Sequence, residues 1–194
     1  MSGIPVEKHP LEPFLPEGAK ILMLGSFPPL QRRWSMNFFY PNYQNDMWRI
    51  MGAIFFADTH AFVDTTKRCF RQKAIEQFAE EVGIALYDTA EAVCRLRGNA
   101  SDNYLEIVRP ADIESLLLQI PSCQAIVTTG EKATSEIATR YKVEKPRMGE
   151  CKSLLIGNRA LQFWRMPSTS RAYPLALDKK VTYYHAMFGE LGLI

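Results

Sequence analysis

The stretch "ILMLGSFPP", residues 21–29, decides how the rest of the chain is read. Ile21 to Leu24 form a short unbroken apolar run, as a strand does when both of its faces are buried. The run stops at Gly25, where the chain can turn sharply, and Pro28 and Pro29 stiffen the loop beyond it. A nucleotide-binding strand opens into a glycine-rich phosphate loop instead. That argues against a small-molecule enzyme of the flavodoxin or nucleotide-binding type.

Working outward, strands alternate with helices. Lys20 to Gly25 is the first strand. Asn45 to Phe56 (NDMWRIMGAIFF) carries Met47, Ile50, Met51 and Ile54 at helical spacing. Asp64 to Val82 repeats that period, with Asp64 placed to cap it. Ile84 to Tyr87 is a short strand, and a helix is expected to begin near Thr89. Pro110, followed by ADIESLLLQI, opens another helix in the manner proline favours. Gln124 to Thr129 is a further core strand, closing at Gly130 into the helix EKATSEIATRY. Cys151 to Ile156 and Ala160 to Met166 can pair as a hairpin across Gly157-Asn158, and Pro174 to Leu193 reads as the last helix. Short apolar strands separated by helices call for a parallel sheet covered on both faces. Residues 1–19 read as an extended N-terminal arm and 20–194 as a single domain.

Composition excludes several classes. The 194 residues are 47% hydrophobic and 23% charged, as in an ordinary globular protein. No run approaches the ~20 apolar residues that span a bilayer, so no membrane partner is expected. The opening MSGIPVEKHPLEPFLPEGAK is proline-rich and charged, unlike a signal or transit peptide, and a cytoplasmic location is expected. Cys69, Cys94, Cys123 and Cys151 show no C-x-x-C pair, and His9, His60 and His185 are scattered. No metal site or cofactor is expected; the cysteines read as small half-buried residues in a reducing compartment.

Net charge is +2, unevenly spread: residues 140–180 hold ten Lys or Arg against Glu144, Glu150 and Asp178. Such a stretch is either a solvated face or half of a phosphate-binding surface. In parallel sheets ligands bind beyond the carboxyl ends of the strands, which selects the loops after Leu24, Tyr87, Thr129 and Met166. The last of these, Pro167 to Tyr173, offers Ser168, Thr169, Ser170 and Arg171, suited to an anion or to capping the following helix. Trp34, Phe38, Phe39, Tyr40 and Tyr43 crowd the segment after the first loop, where they can pack as a satellite core or stack on a planar base.

Taken together, GSFPP after the first strand, NFFYPNYQNDMW, GIALYDTAEA, VTTG and MPSTSRAY resemble, in order, the motifs of the uracil-DNA glycosylase superfamily. The likeness is closest to its hypoxanthine- and mismatch-type branch, with G-S-x-P first and P-S-T-S last. The resemblance covers the chain from Lys20 to the last helix. It implies a three-layer α/β/α sandwich around a central, mainly parallel four-stranded sheet. It implies a base pocket walled by Gly25, Ser26, Phe27 and Pro28, with Phe39 and Tyr40 available to stack on the base. Pro167, Ser168, Thr169 and Ser170 would meet the DNA backbone, with Arg171 near the gap left by the extruded nucleotide.

Two positions depart from the pattern. Phe27 stands where other branches carry Asp, Asn or Glu, and Met166 where some carry a histidine. The resemblance hands part of the catalytic work to Asn45 in QNDMW, although an amide is a poor general base and asparagine is also a favoured helix cap. Asn42 is a weaker substitute. Asp88, after the second strand, can polarise a water or cap a helix, and Trp48 reads as core. The expected function is a monofunctional DNA glycosylase that hydrolyses the N-glycosidic bond of a flipped-out deaminated base, uracil or hypoxanthine, in base excision repair. It would work as a monomer, without cofactor, on double- or single-stranded DNA with a damaged base. The alternative is a catalytically impaired DNA-binding module of the same fold.

Overall fold

The computed structural model describes residues 4–96 and 104–194. Along the chain come β1 (Val6–Lys8), β2 (Ile21–Gly25), α1 (Met47–Phe56), β3 (Val63–Asp64), β4 (Cys69–Phe70), α2 (Gln72–Val82) and β5 (Ile84–Asp88). There follow β6 (Ala90–Arg95), β7 (Leu105–Pro110), α3 (Ile113–Gln119), β8 (Ala125–Thr129), α4 (Glu131–Arg140), β9 (Cys151–Ile156), β10 (Arg159–Met166) and α5 (Leu177–Glu190).

The central sheet has five strands in the order β5-β2-β8-β10-β9. The first four run parallel. The expected four-stranded sheet is thus one strand short: β9 adds an antiparallel edge, through the hairpin across Gly157-Asn158. Every residue of β2, β5 and β8 is buried, the signature of strands covered on both faces. On the edge, β9 exposes Ser153 and Leu155 and buries Leu154 and Ile156. Helix α2 packs on β5, α4 on β8, and α5 on both β10 and α1.

Three expectations fail for local reasons. The segment after Thr89 is not a helix: β6 lies between β1 and β7 in a three-stranded antiparallel sheet. Alanine and glutamate are good helix formers, but propensity is a weak preference that strand pairing on both edges overrides. The helix expected from Asp64 begins only at Gln72, because β3 and β4 form a small hairpin first. Asp64 Oδ1 accepts from the Lys67 N–H at 2.9 Å and so closes that turn. Pro110 ends β7 instead of opening α3, whose cap is Asp112, accepting from the Ser115 N–H at 3.1 Å and its hydroxyl at 2.7 Å.

The N-terminal segment is woven into the rest. Val6 to Lys8 pair with Cys94 to Ala92, and Phe14 bridges to Leu86 of β5. Residues 1–3 of the expected arm lie outside the described residues. Among the described residues no helix is long and apolar enough to cross a membrane.

Candidate functional site

The carboxyl ends of the parallel strands open onto one cleft of about 870 Å³. Its walls are the 25–29 loop, the segment 39–45 ahead of α1, Asp88, the β8–α4 turn and the loop after β10. A Cβ at Gly25 would lie 2.4 Å from Asp88 Oδ1, so glycine is required here by close approach; its backbone is not left-handed.

Phe27 borders the cleft, yet it is only 8% exposed and packs with Ala90, Val93 and Leu105 of the three-stranded sheet. The Arg95 guanidinium lies 5.5 Å over its ring and donates to the Pro28 carbonyl at 2.6 Å and the Glu7 carboxylate at 2.8 Å. These contacts fix the loop to β1 and β6. Gly25, Ser26 and Pro28 line the cleft beside it.

Phe39 is buried, with its ring 6.2 Å from His9 and 6.3 Å from Tyr87. Its carbonyl accepts from Trp48 Nε1 at 3.0 Å, so the core tryptophan sets this segment. Tyr40 has a left-handed backbone, φ 53°. Its hydroxyl pairs with Thr129 Oγ1 at 2.9 Å, and Thr129 in turn donates to the Leu24 carbonyl at 3.4 Å. Burial first, and the Asp88 carboxylate second, push the Tyr40 pKa upward.

Asn45 and Asn42 both line the cleft. Asn45 Oδ1 accepts from the Met47 N–H at 2.9 Å, an Asx turn leading into α1 one residue ahead of its cap, Asp46, which makes no side-chain cap bond. Asn42 Oδ1 accepts from the Gln44 N–H at 2.9 Å.

The loop after β10 is held from inside. The Pro167 carbonyl accepts from the Tyr184 hydroxyl at 2.9 Å, that of Thr169 from the Asp46 N–H at 2.9 Å, and that of Ser170 from Lys180 Nζ at 2.9 Å. Lys180, 0% exposed, also pairs with Asp46 at 2.8 Å, and Arg171 lies 3.4 Å from the same carboxylate. Ser168 Oγ accepts from the Ser170 N–H at 3.2 Å. The Ser168 and Ser170 hydroxyls accept from backbone N–H groups of their own loop, and α5 starts behind Ala176 with no side-chain cap. Ser168, Thr169 and Ser170 line the cleft, Pro167 is buried beneath them, and Arg171 is exposed.

Much of the basic 140–180 stretch is spoken for. Lys145 and Arg165 bind Glu131, Lys152 binds Glu144, and Arg159 donates to carbonyls around the end of α3. The cations on the cleft wall itself are Arg33 and Lys132.

Sequence reasoning missed His9 and undervalued Asp88. No helix follows Asp88 for it to cap; its side chain is 10% exposed on the cleft wall, 2.9 Å from His9 Nε2. The His9 ring, 2% exposed, is wedged against Phe27 at 5.3 Å and Tyr87 at 4.7 Å, and Nδ1 faces the Leu11 backbone. A carboxylate accepts only, so Nε2 bears a proton and donates to Asp88 Oδ2. The two residues are 79 positions apart, and no spacing rule couples them. Among the described residues no three of His, Cys, Asp or Glu converge as metal ligands do.

No protein-family model and no curated protein matches the chain. A solved structure does. It is the solution NMR structure of a Methanosarcina acetivorans protein provisionally named a uracil DNA glycosylase, 20% identical, with a TM-score of 0.59 over 96% of this chain and 99% of that one. The two chains share a fold. At that identity the likeness speaks for architecture alone.

Proposed function

We propose that the protein is a monofunctional DNA glycosylase that hydrolyses uracil or hypoxanthine from DNA. The observation that carries this reading is the cleft. At the carboxyl ends of four parallel strands, the 25–29 loop faces the 168–170 loop across buried aromatic rings and a carboxylate. A base within the duplex stack cannot be reached, so such an enzyme needs a pocket for the extruded base and a loop to grip the strand. Phe39 and Tyr40 suit the base, Ser168, Thr169 and Ser170 the backbone, and Arg33, Lys132 and Arg171 supply positive charge for phosphates. Asn45, at the cleft, is suited to orient the base or a water through its amide. The shared fold with a protein provisionally named a uracil DNA glycosylase supports the same reading.

Duplex and single-stranded oligonucleotides carrying uracil, hypoxanthine or xanthine, incubated with the protein and then treated with alkali, test it. Cleavage at the lesion is expected. Asn45→Ala is expected to lower excision far more than DNA affinity, and equal losses contradict a catalytic role for the amide. A second reading, a DNA-binding module without hydrolysis, is favoured by Phe27 and Met166, both buried and apolar. Salt-sensitive DNA binding with no cleavage on any lesion selects it.

A further inference from the structure

We infer that Asp88 is the carboxylate that places the hydrolytic water, and that His9, delivered by the N-terminal segment, is its positioning residue. The inference rests on the glycosylase reading and deepens it. The 25–29 loop holds no ionisable side chain, and Asn45 Oδ1 already accepts from the Met47 N–H at 2.9 Å. Asp88 stands in the same cleft, last residue of β5, directly across the ladder from Gly25. Because Gly25 has no side chain, Asp88 Oδ1 stands 2.4 Å from where a Cβ would be, with the Tyr40 hydroxyl 3.7 Å from the same point. The other oxygen, Oδ2, is held by His9 Nε2 at 2.9 Å.

His9 itself has little freedom. Its ring meets Phe27 edge-on at 5.3 Å and lies 4.7 Å from Tyr87, while the Leu11 carbonyl and N–H face Nδ1 at 2.8 and 3.2 Å. A carboxylate gripped by one oxygen presents the other in one orientation, as an activated water requires. In the step, the water oxygen bonds to C1′ of the sugar as the C1′–N bond breaks, and the electron pair of that bond leaves on the base nitrogen. Asp88 takes one proton of the water and releases it to the departing base. The products are a C1′-hydroxyl sugar and a protonated base.

The test is single-turnover excision by the full chain on a lesion duplex, with DNA affinity measured alongside. Asp88→Asn is expected to lower the rate about 100- to 1000-fold with affinity within about twofold. His9→Phe keeps the ring packing and removes the donor, and is expected to cost about tenfold in rate. In the Asp88→Asn background His9→Phe should cost nothing further, which a merely structural role would not produce. Should Asp88→Asn fail to fold, His9→Phe, which retains the carboxylate, carries the test. An Asp88→Asn rate within about threefold of the unchanged protein overturns the water-placing role. An equal His9→Phe loss in both backgrounds overturns the positioning role. An unchanged protein silent on every lesion removes the glycosylase reading itself, a result distinct from either.

Discussion

Gly25 has no Cβ, and the place a Cβ would fill is taken by Asp88 Oδ1. Gly25→Ala therefore pushes against a side chain that is itself held by His9. The substitution is expected to cost about 1–3 kcal/mol, as overpacking does. It should also lower excision by at least about tenfold through displacement of the carboxylate. Urea unfolding and an excision time course check both, and a variant equal to the parent in each contradicts the close approach. The sequence displays Gly25 as a break after an apolar run, and that much is legible. What presses on it is not, because the pressing residue arrives on a different strand. Phe27 behaves alike. Its lack of a polar group is plain in the sequence, while its burial against Ala90, Val93 and Leu105 depends on a segment that propensity assigns to a helix.

The element with most at stake is the loop after β10. Its carbonyls are gathered by Asp46 at the start of α1 and by Lys180 and Tyr184 on α5. Lys180→Met would leave the Asp46 carboxylate, 4% exposed, without its closest partner. Breaking such a buried pair on one side is expected to cost about 3–5 kcal/mol. Backbone hydrogen exchange over 168–172 should rise and DNA affinity should fall. Urea unfolding together with exchange measurements checks this, and unchanged exchange would show that the loop is held otherwise. This clasp is partly legible in the sequence. Lys180 lies three residues after Leu177 and four before Tyr184, on the buried stripe of its helix, and a lysine on a core stripe signals a concealed anion. The identity of the anion is not legible, since Asp46 sits 134 positions away beside a residue whose type suggests only capping.

Over the whole molecule, tyrosines whose pKa burial raises tie stability to alkaline pH, Tyr141 among them. Burial raises the pKa values of Tyr40 and Tyr184 and, with the Glu91 and Asp88 carboxylates assisting, lifts that of Tyr87 to about 12. Below about pH 10 folded and unfolded chains both keep these protons. As pH rises above that, the unfolded chain ionises first and binds fewer protons, so stability falls. The urea midpoint at pH 11 should be lower than at pH 9; an unchanged midpoint argues against buried phenols. At this scale the parallel core strands, the hairpin and the cleft end of the sheet follow from apolar runs and their separation. The three-stranded sheet does not, because β6 gains its strand character only from β1 and β7 on its two edges. That topology also imposes an order on synthesis. β2 leaves the ribosome before either neighbour, β5 at 84–88 or β8 at 125–129, exists to pair with it. The loop after β10 has no clasp until residue 180 has emerged. A nascent chain therefore carries the 25–29 loop long before it has a groove, and a product truncated before residue 180 lacks the lysine that ties the loop after β10 to the start of α1.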